Sequence, residues 1–324
     1  MSSLSAFLSR FSIALYTLIA LVAFAANSVL CRMALSTQQT PALIDPSSFT
    51  AIRLAAGALV LGLLMLLRNT KAGTSRPTSR GSMFAAALLF IYAVTFSYAY
   101  VLLDTATGAL ILFAAVQISM MLISYFQGQR LTLLEWIGAL LAFSGFAYLV
   151  LPGVSAPSMT GLVLMAISGC AWGGYTLLGK KSVNPLFDTG YNFIRSLPLV
   201  AVMILVVWLL PQLTSAPQLT SAPQLVSIPQ TTVLSAKGML LAVLSGAIAS
   251  GIGYALWYQA LRGLTSTHAA VLQLTVPVIA AVGGILFLDE VISFHLGVSA
   301  GIIFVGIALV IFAKAHPVSQ RNGQ

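Results

Sequence analysis

Ten runs of about 20 mostly apolar residues, separated by short polar links, occupy almost the whole sequence. A helix rises about 1.5 Å per residue, so a run of this length crosses the ~30 Å hydrocarbon core of a bilayer. Only 6% of the residues are charged, whereas soluble domains average about 25%. We therefore predict an all-α integral membrane protein with ten transmembrane helices. The predicted helices cover residues 11–32, 47–67, 82–102, 105–126, 132–151, 159–179, 188–210, 238–261, 267–288 and 293–314.

The distribution of lysine and arginine predicts how these helices are oriented. Cytoplasmic links of membrane proteins are enriched in both residues. If the N-terminus is cytoplasmic, only Lys237 falls in an outer link. Both termini are therefore predicted to be cytoplasmic, in a multi-pass protein of the cell membrane, with a bacterial inner membrane as the default. The cytoplasmic links then contain Arg10, Arg68, Lys71, Arg76, Arg80, Arg130, Lys180, Lys181, Arg262, Lys314 and Arg321.

The two halves of the sequence align with each other. Asn27–Arg32 aligns with Tyr175–Lys180, and Arg53 aligns with Arg195. Each half contains five predicted helices, which is an odd number, so the second half enters the membrane from the opposite side. Inverted repeats of this kind serve alternating access around a site near the membrane midplane. Further aligned pairs are Thr105–Ala109 with Thr265–Ala269, Gln129 with Glu290, and Gly145 with Gly306.

This alignment gives the predicted domain organisation. A cytoplasmic segment, residues 1–10, precedes a first repeat at 11–151 and a second at 159–314, and a cytoplasmic tail covers 315–324. Within the second repeat, residues 211–235 begin with PQLTSAPQLTSAPQLVSIPQ. Repeated prolines and the lack of charge there predict a flexible outer loop without regular structure.

Several of these residues resemble one known family of transporters. Trp172-Gly173, Lys180 and Arg53 stand where the EamA family of the drug/metabolite transporter superfamily has such residues, and Gln273–Ser293 is the most family-like stretch. The chain departs from the family pattern at Phe24, where a tryptophan is common, and it has the additional PQLTSA loop. The resemblance implies a ten-helix carrier of metabolites, often an exporter, and it does not identify the substrate.

Charged residues inside predicted spans are the first candidates for a functional site, because burying a charge in lipid is costly. Arg53 either faces a cavity, where it could bind a substrate carboxylate or tie helices together, or reaches an interface. Glu290 is predicted to be structural, either as a solvated loop acid or as a cap for the helix that starts near Ile292. Since no acid lies mid-span, His268 is a weak candidate for proton coupling, and a satisfied polar residue is the alternative.

Polar and aromatic side chains in the spans complete the predicted substrate-binding site. Gln117 and Gln273 lie in the fourth and ninth spans, which are equivalent in the repeat, so they predict a shared midplane site. For any single aromatic residue, helix packing or an interface belt is the alternative. An aromatic cavity with a few amides suits a small amphipathic solute, such as an amino acid. The predicted substrate-binding residues are Asn27, Arg53, Tyr98, Gln117, Trp172, Tyr175, Tyr254, Trp257, Tyr258 and Gln273.

The residues that could carry other chemistry are few and scattered. The net charge of +9 does not predict nucleic-acid binding, because the basic residues form no single basic face. An enzyme would need clustered acids, bases or metal ligands, and the chain has only three histidines and six acids. Cys31 and Cys170 lie in apolar runs and predict neither a disulfide nor a metal site.

We expect no enzyme activity, no cofactor and no metal. The expected partners are a small-molecule substrate and the lipid bilayer. A channel, a uniporter or a non-transporting scaffold remains the alternative to a secondary exporter, and the oligomeric state stays open.

Overall fold

The computed structural model describes residues 2–35, 42–71, 80–126, 128, 132–150, 157–180, 182–214, 234–264 and 272–315. These residues are almost entirely helical. Within them, the only β pairing is an isolated antiparallel bridge between Ile44 and Leu234. This bridge joins the chain before the second helix to the chain before the eighth predicted span.

The helices of the first half agree with the predicted spans, apart from their ends. They are α1 (Ser2–Ala34), α2 (Pro46–Lys71), α3 (Met83–Leu102), α4 (Thr105–Phe126) and α5 (Leu133–Val150). The first two run further than predicted, because a helix can continue through polar residues after its apolar part ends. A span estimated from hydropathy alone cannot include such an extension.

The second half differs from the prediction in three places. The predicted span 238–261 is not one regular helix, because a π-helical stretch interrupts it. In the predicted span 267–288, residues 267–271 lie outside the described residues, and a turn at Leu274 separates the helical Leu272 and Gln273 from a helix that begins at Thr275. Pro277 therefore lies in the first turn of that helix, where its missing N–H costs no hydrogen bond. The helix before the predicted loop continues to Thr214, and residues 215–233 of that loop lie outside the described residues. The elements are α6 (Met159–Gly179), α7 (Pro185–Thr214), α8 (Ala236–Val243), the π-helix Leu244–Ile252, α9 (Gly253–Leu261), α10 (Thr275–Leu288) and α11 (Phe294–Ala315).

Most of these helices suit a bilayer. In the described part of the chain, eight helical segments are long and apolar enough to cross a membrane, counting α8, the π-helix and α9 as one segment. The helices α5 and α10 are also apolar, but their apolar parts, Leu133–Leu149 and Thr275–Leu288, are shorter. The fold is therefore that of a multi-pass helical membrane protein.

The same helix pairs are in contact when each helix is replaced by its equivalent from the other half of the sequence. The helix α6 packs against α3 and α4, and α1 packs against α9 and α10, which are the equivalents of α3 and α4 in the sequence alignment. The pairs α2 with α7, α4 with α10, and α5 with α11 each join equivalent helices. This arrangement places α1, α2, α3, α6 and the π-helix around the centre of the protein.

The pair formed by α5 and α11 depends on glycine. A Cβ atom at Gly306 would lie 2.6 Å from the Gly138 carbonyl oxygen, and one at Gly138 would lie 2.5 Å from the Gly306 carbonyl oxygen. The two backbones approach closely, as small residues permit between membrane helices.

We expect Gly306→Val to destabilise the purified protein, whereas Gly301→Val should not. Overpacking costs about 1–3 kcal/mol, and each kcal/mol lowers the Tm of a large domain by about 2–4 °C. Gly301 lies on the same helix, and a Cβ atom added there would meet no neighbouring helix within 4 Å, so it is the matched control. Thermal unfolding in detergent measures both variants, and equal Tm values would contradict the close packing.

Candidate functional site

A buried arginine organises the polar interior. The Arg53 guanidinium donates hydrogen bonds to the hydroxyls of Tyr92 (2.9 Å), Ser250 (3.2 Å) and Tyr254 (3.4 Å), and the Tyr254 hydroxyl donates to that of Tyr92 (3.3 Å). The Asn27 amide also donates to the Ser250 hydroxyl, at 3.0 Å. We call these five residues the Arg53 cluster. They come from α1, α2, α3, the π-helix and α9, so the cluster ties both halves together at the centre.

Arg53 carries its charge without a counter-ion from the chain. It is only 1% exposed. All six carboxylates of the chain lie in described residues, and none of them is hydrogen-bonded or ion-paired to Arg53. Its Nη1 atom has no hydrogen-bond partner in the described structure. The rings of Tyr92 and Phe96 lie 5.1 Å and 4.8 Å from the guanidinium carbon, a cation–π arrangement that offsets only part of the cost of burial.

The π-helix explains how two serines reach the same polar centre. Ser245 donates to the Asn27 carbonyl oxygen at 2.5 Å, and Ser250 contacts both Asn27 and Arg53. Residues five apart point in different directions on an α-helix of 3.6 residues per turn, whereas i→i+5 bonding brings them to one face. At Gly246, a Cβ atom would collide with the Arg53 backbone, so this position requires glycine for the close approach of α2.

Aromatic rings surround a small central cavity beside the Arg53 cluster. The Trp172 ring centre lies 4.6 Å from that of Tyr254, 5.0 Å from Tyr92 and 5.9 Å from Phe24. The cavity volume is only about 10 Å³, which is room for no more than one water molecule. The centre is therefore closed in this conformation. The cavity is lined by Phe24, Asn27, Tyr92, Phe96, Leu112, Phe113, Trp172 and Tyr254.

A second, larger cavity lies towards the C-terminal ends of α6 and α9. Tyr175 connects it to the centre, since its ring centre is 5.5 Å from Trp172 and 6.4 Å from Tyr258. Tyr258 lines this second cavity, which has a volume of about 160 Å³. We call it the Tyr258 cavity. Its lining is Gly179, Lys180, Ser182, Pro185, Tyr258, Leu261, Arg262 and Leu264.

An ion cluster lies where α1, α3 and α10 end and α4 begins. Arg32, at the end of α1, donates to Asp104 (2.9 Å), to Glu290 (3.4 Å) and to the Tyr100 carbonyl oxygen (2.8 Å). The Glu290 carboxylate accepts hydrogen bonds from the backbone N–H of Thr105 (2.9 and 3.0 Å) and from its hydroxyl (3.0 Å). We call Arg32, Asp104, Thr105 and Glu290 the Arg32 cluster.

The expected role of Glu290 needs a correction. The predicted role is a solvated loop acid or a cap for the following helix, whereas the Glu290 carboxylate caps α4, which is distant in sequence. The left-handed conformation of Asp289 (φ 53°) ends α10, and the N–H of Glu290 donates back to the Gly284 carbonyl oxygen at 3.2 Å. This tight turn directs the Glu290 carboxylate towards the N-terminus of α4, whose unpaired N–H groups attract an anion.

The structure brings some of the predicted site residues together and separates others. Tyr98 is half-buried and pairs with the Ser47 hydroxyl at 2.7 Å, outside the central cavity. Gln117 and Gln273 do not line either cavity, although the Nε2 atom of each is buried without a partner in the described structure. His268 lies outside the described residues. Tyr258 lines the second cavity instead. The residues brought together at or beside the central cavity are Asn27, Arg53, Trp172, Tyr175, Tyr254 and Trp257.

The predicted site omitted Tyr92, Phe96 and Ser250, which contact Arg53 directly. Ser250 reaches the centre because of the π-helix, for which the sequence contains no clear signal. The sequence did contain a signal that Phe24 belongs to the site, because Phe24 aligns with Trp172 when the two halves are compared. The rings of these two residues are in contact.

Comparison with known proteins gives a consistent result. The model of the EamA-like transporter family matches residues 11–151 and 159–312. An uncharacterized protein of Pseudomonas aeruginosa is 44% identical over 308 residues, which cover 95% of this chain and 97% of that protein. A protein of Archaeoglobus fulgidus, named as an uncharacterized transporter, is 26% identical over 84% of this chain and 90% of its own length. One crystal structure, 18% identical in sequence, covers 94% of this chain and 99% of its own with a TM-score of 0.57, a likeness of fold alone.

Proposed function

Because the chain belongs to the EamA-like transporter family, within the drug/metabolite transporter superfamily, we propose that it is a secondary transporter that exports small amphipathic metabolites by alternating access. Amino acids and related solutes with a carboxylate are the substrates that fit its centre best. Family membership points to a membrane transporter rather than an enzyme, and the direction, substrate and mechanism are our proposals.

One observation carries this proposal: within the described residues, Arg53 is a buried cation whose Nη1 atom has no hydrogen-bond partner and which pairs with no carboxylate. An uncompensated charge inside a membrane protein is costly to stability, and it marks a functional site. A substrate carboxylate would provide the missing negative charge and a two-point hydrogen-bond acceptor. The aromatic rings of Phe24, Trp172 and Tyr254 would contact the apolar part of the same solute.

We propose ten membrane crossings in two inverted repeats, residues 11–151 and 159–314. Addition of the shorter helices α5 and α10 to the eight long segments gives ten. Three observations support the repeat: the helix pairs persist when the halves are exchanged, the aligned residues Phe24 and Trp172 meet at the centre, and the family model matches two successive segments. With the lysine and arginine distribution, both termini are cytoplasmic in a bacterial inner membrane.

The two ends of the protein fit one state of an alternating-access cycle. In the proposed orientation, the Arg32 cluster closes the outer end, and the Tyr258 cavity lies at the cytoplasmic end. The central cavity is too small for a metabolite, so a substrate must separate the rings around Trp172 to bind. Exchange or facilitated diffusion fits this centre better than proton coupling, because no carboxylate contacts the Arg53 cluster in the described residues.

Purified protein in lipid vesicles tests the proposal with labelled amino acids, each paired with its carboxamide. We expect saturable uptake of at least one amino acid, with a preference of about tenfold or more over the carboxamide, because a charged hydrogen-bond partner is worth about 1.5–3 kcal/mol. If no member of the panel shows saturable flux, the transport proposal fails.

A further inference from the structure

The Tyr258 cavity has a volume that suits a small ring. Its volume of about 160 Å³ is close to the ~150 Å³ of an engineered apolar cavity that binds benzene. Pro185, Leu261 and Leu264 provide apolar walls. The side chains of Lys180, Ser182 and Arg262 provide polar groups at its rim, and the first and last of these are cationic.

A buried hydroxyl without a partner faces the same space. Tyr258 is 4% exposed, and in the described structure its hydroxyl has no partner with hydrogen-bond geometry, although the Thr176 side chain lies beside it. Leaving such a group unpaired is costly to stability. Because Tyr258 lines the cavity, an acceptor bound there would satisfy its hydroxyl.

The charged residues near the Tyr258 cavity differ from those of the Arg32 cluster, which is its counterpart in the alignment of the two halves. Arg32 aligns with Lys180, and the acids that pair with Arg32, Asp104 and Glu290, align with Leu264 and Gln129. The positions equivalent to Asp104 and Glu290 therefore have no charge at the end that contains the Tyr258 cavity. Gln129 lies outside the described residues, so its comparison rests on sequence alone.

One carboxylate contacts a residue of the cavity lining. Asp188, in the first turn of α7, accepts hydrogen bonds from the Ser182 hydroxyl and from the Gly81 N–H (2.8 Å). It does not line the cavity, and Arg262 donates to the Val183 carbonyl oxygen at 3.1 Å. Among the described residues, those that line the cavity include two cations and no carboxylate.

We propose that the Tyr258 cavity is an entry site for a small carboxylate solute with an aromatic or apolar body. Lys180 and Arg262 bind the carboxylate, the Tyr258 hydroxyl donates a hydrogen bond, and the leucines contact the ring. Tyr175 and Trp172 then separate this entry site from the Arg53 cluster. The role of the cavity as an entry site rests on the proposed transport function. Binding of the carboxylate in the cavity does not.

Thermal unfolding of the purified full-length protein tests this site with benzoate, benzamide and benzylammonium. Benzoate should raise the Tm by several degrees, since a ligand that binds the folded state stabilises it, and the neutral and cationic analogues should not. Arg262→Gln, Lys180→Gln and Tyr258→Phe should each weaken the apparent benzoate affinity, the first by about tenfold or more. Lys237 lies on the outer side in the proposed topology, away from this cavity, so Lys237→Gln should leave the benzoate affinity unchanged.

The outcomes separate this site from the transport proposal. Benzoate binding that is lost in Arg53→Ala but unchanged in Arg262→Gln and Tyr258→Phe would place the solute at the centre and overturn the entry site. Stabilisation by short-chain phosphatidylglycerol without any by benzoate would also overturn it, in favour of a lipid headgroup. Arg262-dependent benzoate binding in a protein that transports no amino acid would support the cavity as a carboxylate site and refute transport.

Discussion

Arg53→Ala should reduce the saturable uptake of a carboxylate substrate in vesicles by about 100-fold or more. The variant removes the only cation of the central cluster and leaves the hydroxyls of Tyr92, Ser250 and Tyr254 with fewer partners. Arg53→Lys keeps the charge but loses the forked geometry, so we expect it to fold and to raise the KM by about tenfold or more. Uptake of the carboxamide analogue should change far less.

Arg195→Lys is the matched control for this prediction. Arg195 aligns with Arg53 in the repeat, but it is only half-buried, so the same exchange should leave the KM nearly unchanged. If Arg53→Lys is well folded and has a wild-type KM, Arg53 acts only as a tie between helices. That result would refute its role in substrate binding.

Glu290→Gln should open the end of the protein that the Arg32 cluster closes. The glutamine keeps a carbonyl oxygen for the Thr105 N–H but loses the ionic bond to Arg32. A buried charged hydrogen bond is worth about 1.5–3 kcal/mol, so the closed population should fall by about 10- to 100-fold relative to the open one. Cys31 reports this change, because it is fully buried and lies near both Arg32 and Arg53.

The measurement is the rate at which a membrane-impermeant maleimide labels Cys31 in a Cys170→Ala background. We expect labelling of Glu290→Gln to be about tenfold faster or more. Asp45→Asn is the matched control, since Asp45 accepts from the Ser48 N–H and is outside the Arg32 cluster, and asparagine preserves that cap. Equal labelling rates for Glu290→Gln and the wild type would mean that the cluster does not control access.

The helices were predictable because lipid imposes one simple rule on them. A segment such as α4 must satisfy its backbone internally and expose an apolar surface, so its limits at Thr105 and Phe126 follow from composition alone. The π-helix did not follow from composition, because Leu244–Ile252 is as apolar as its neighbours. Its geometry depends on packing against α2, where Gly246 meets the Arg53 backbone.

The site was predictable only in part, for a related reason. Arg53 and Trp172 were identified because a charge or a large aromatic residue in a span is unusual by itself. Tyr92 and Ser250 have side chains that are common in such helices, and only their direction towards Arg53 makes them part of the cluster. Gln117 and Gln273 illustrate the converse, since their location in helices that are equivalent in the sequence alignment does not ensure that either residue lines the central cavity.

Counterflow in vesicles of purified protein tests alternating access around Arg53 most directly. Vesicles are loaded with an unlabelled amino acid that shows saturable uptake, and a trace of the labelled form is added outside. The account predicts that label inside rises transiently above its equilibrium level in the wild type and not in Arg53→Ala. A steady rise to equilibrium, with a rate that is linear in concentration and unaffected by the internal solute, would indicate a channel and contradict the account.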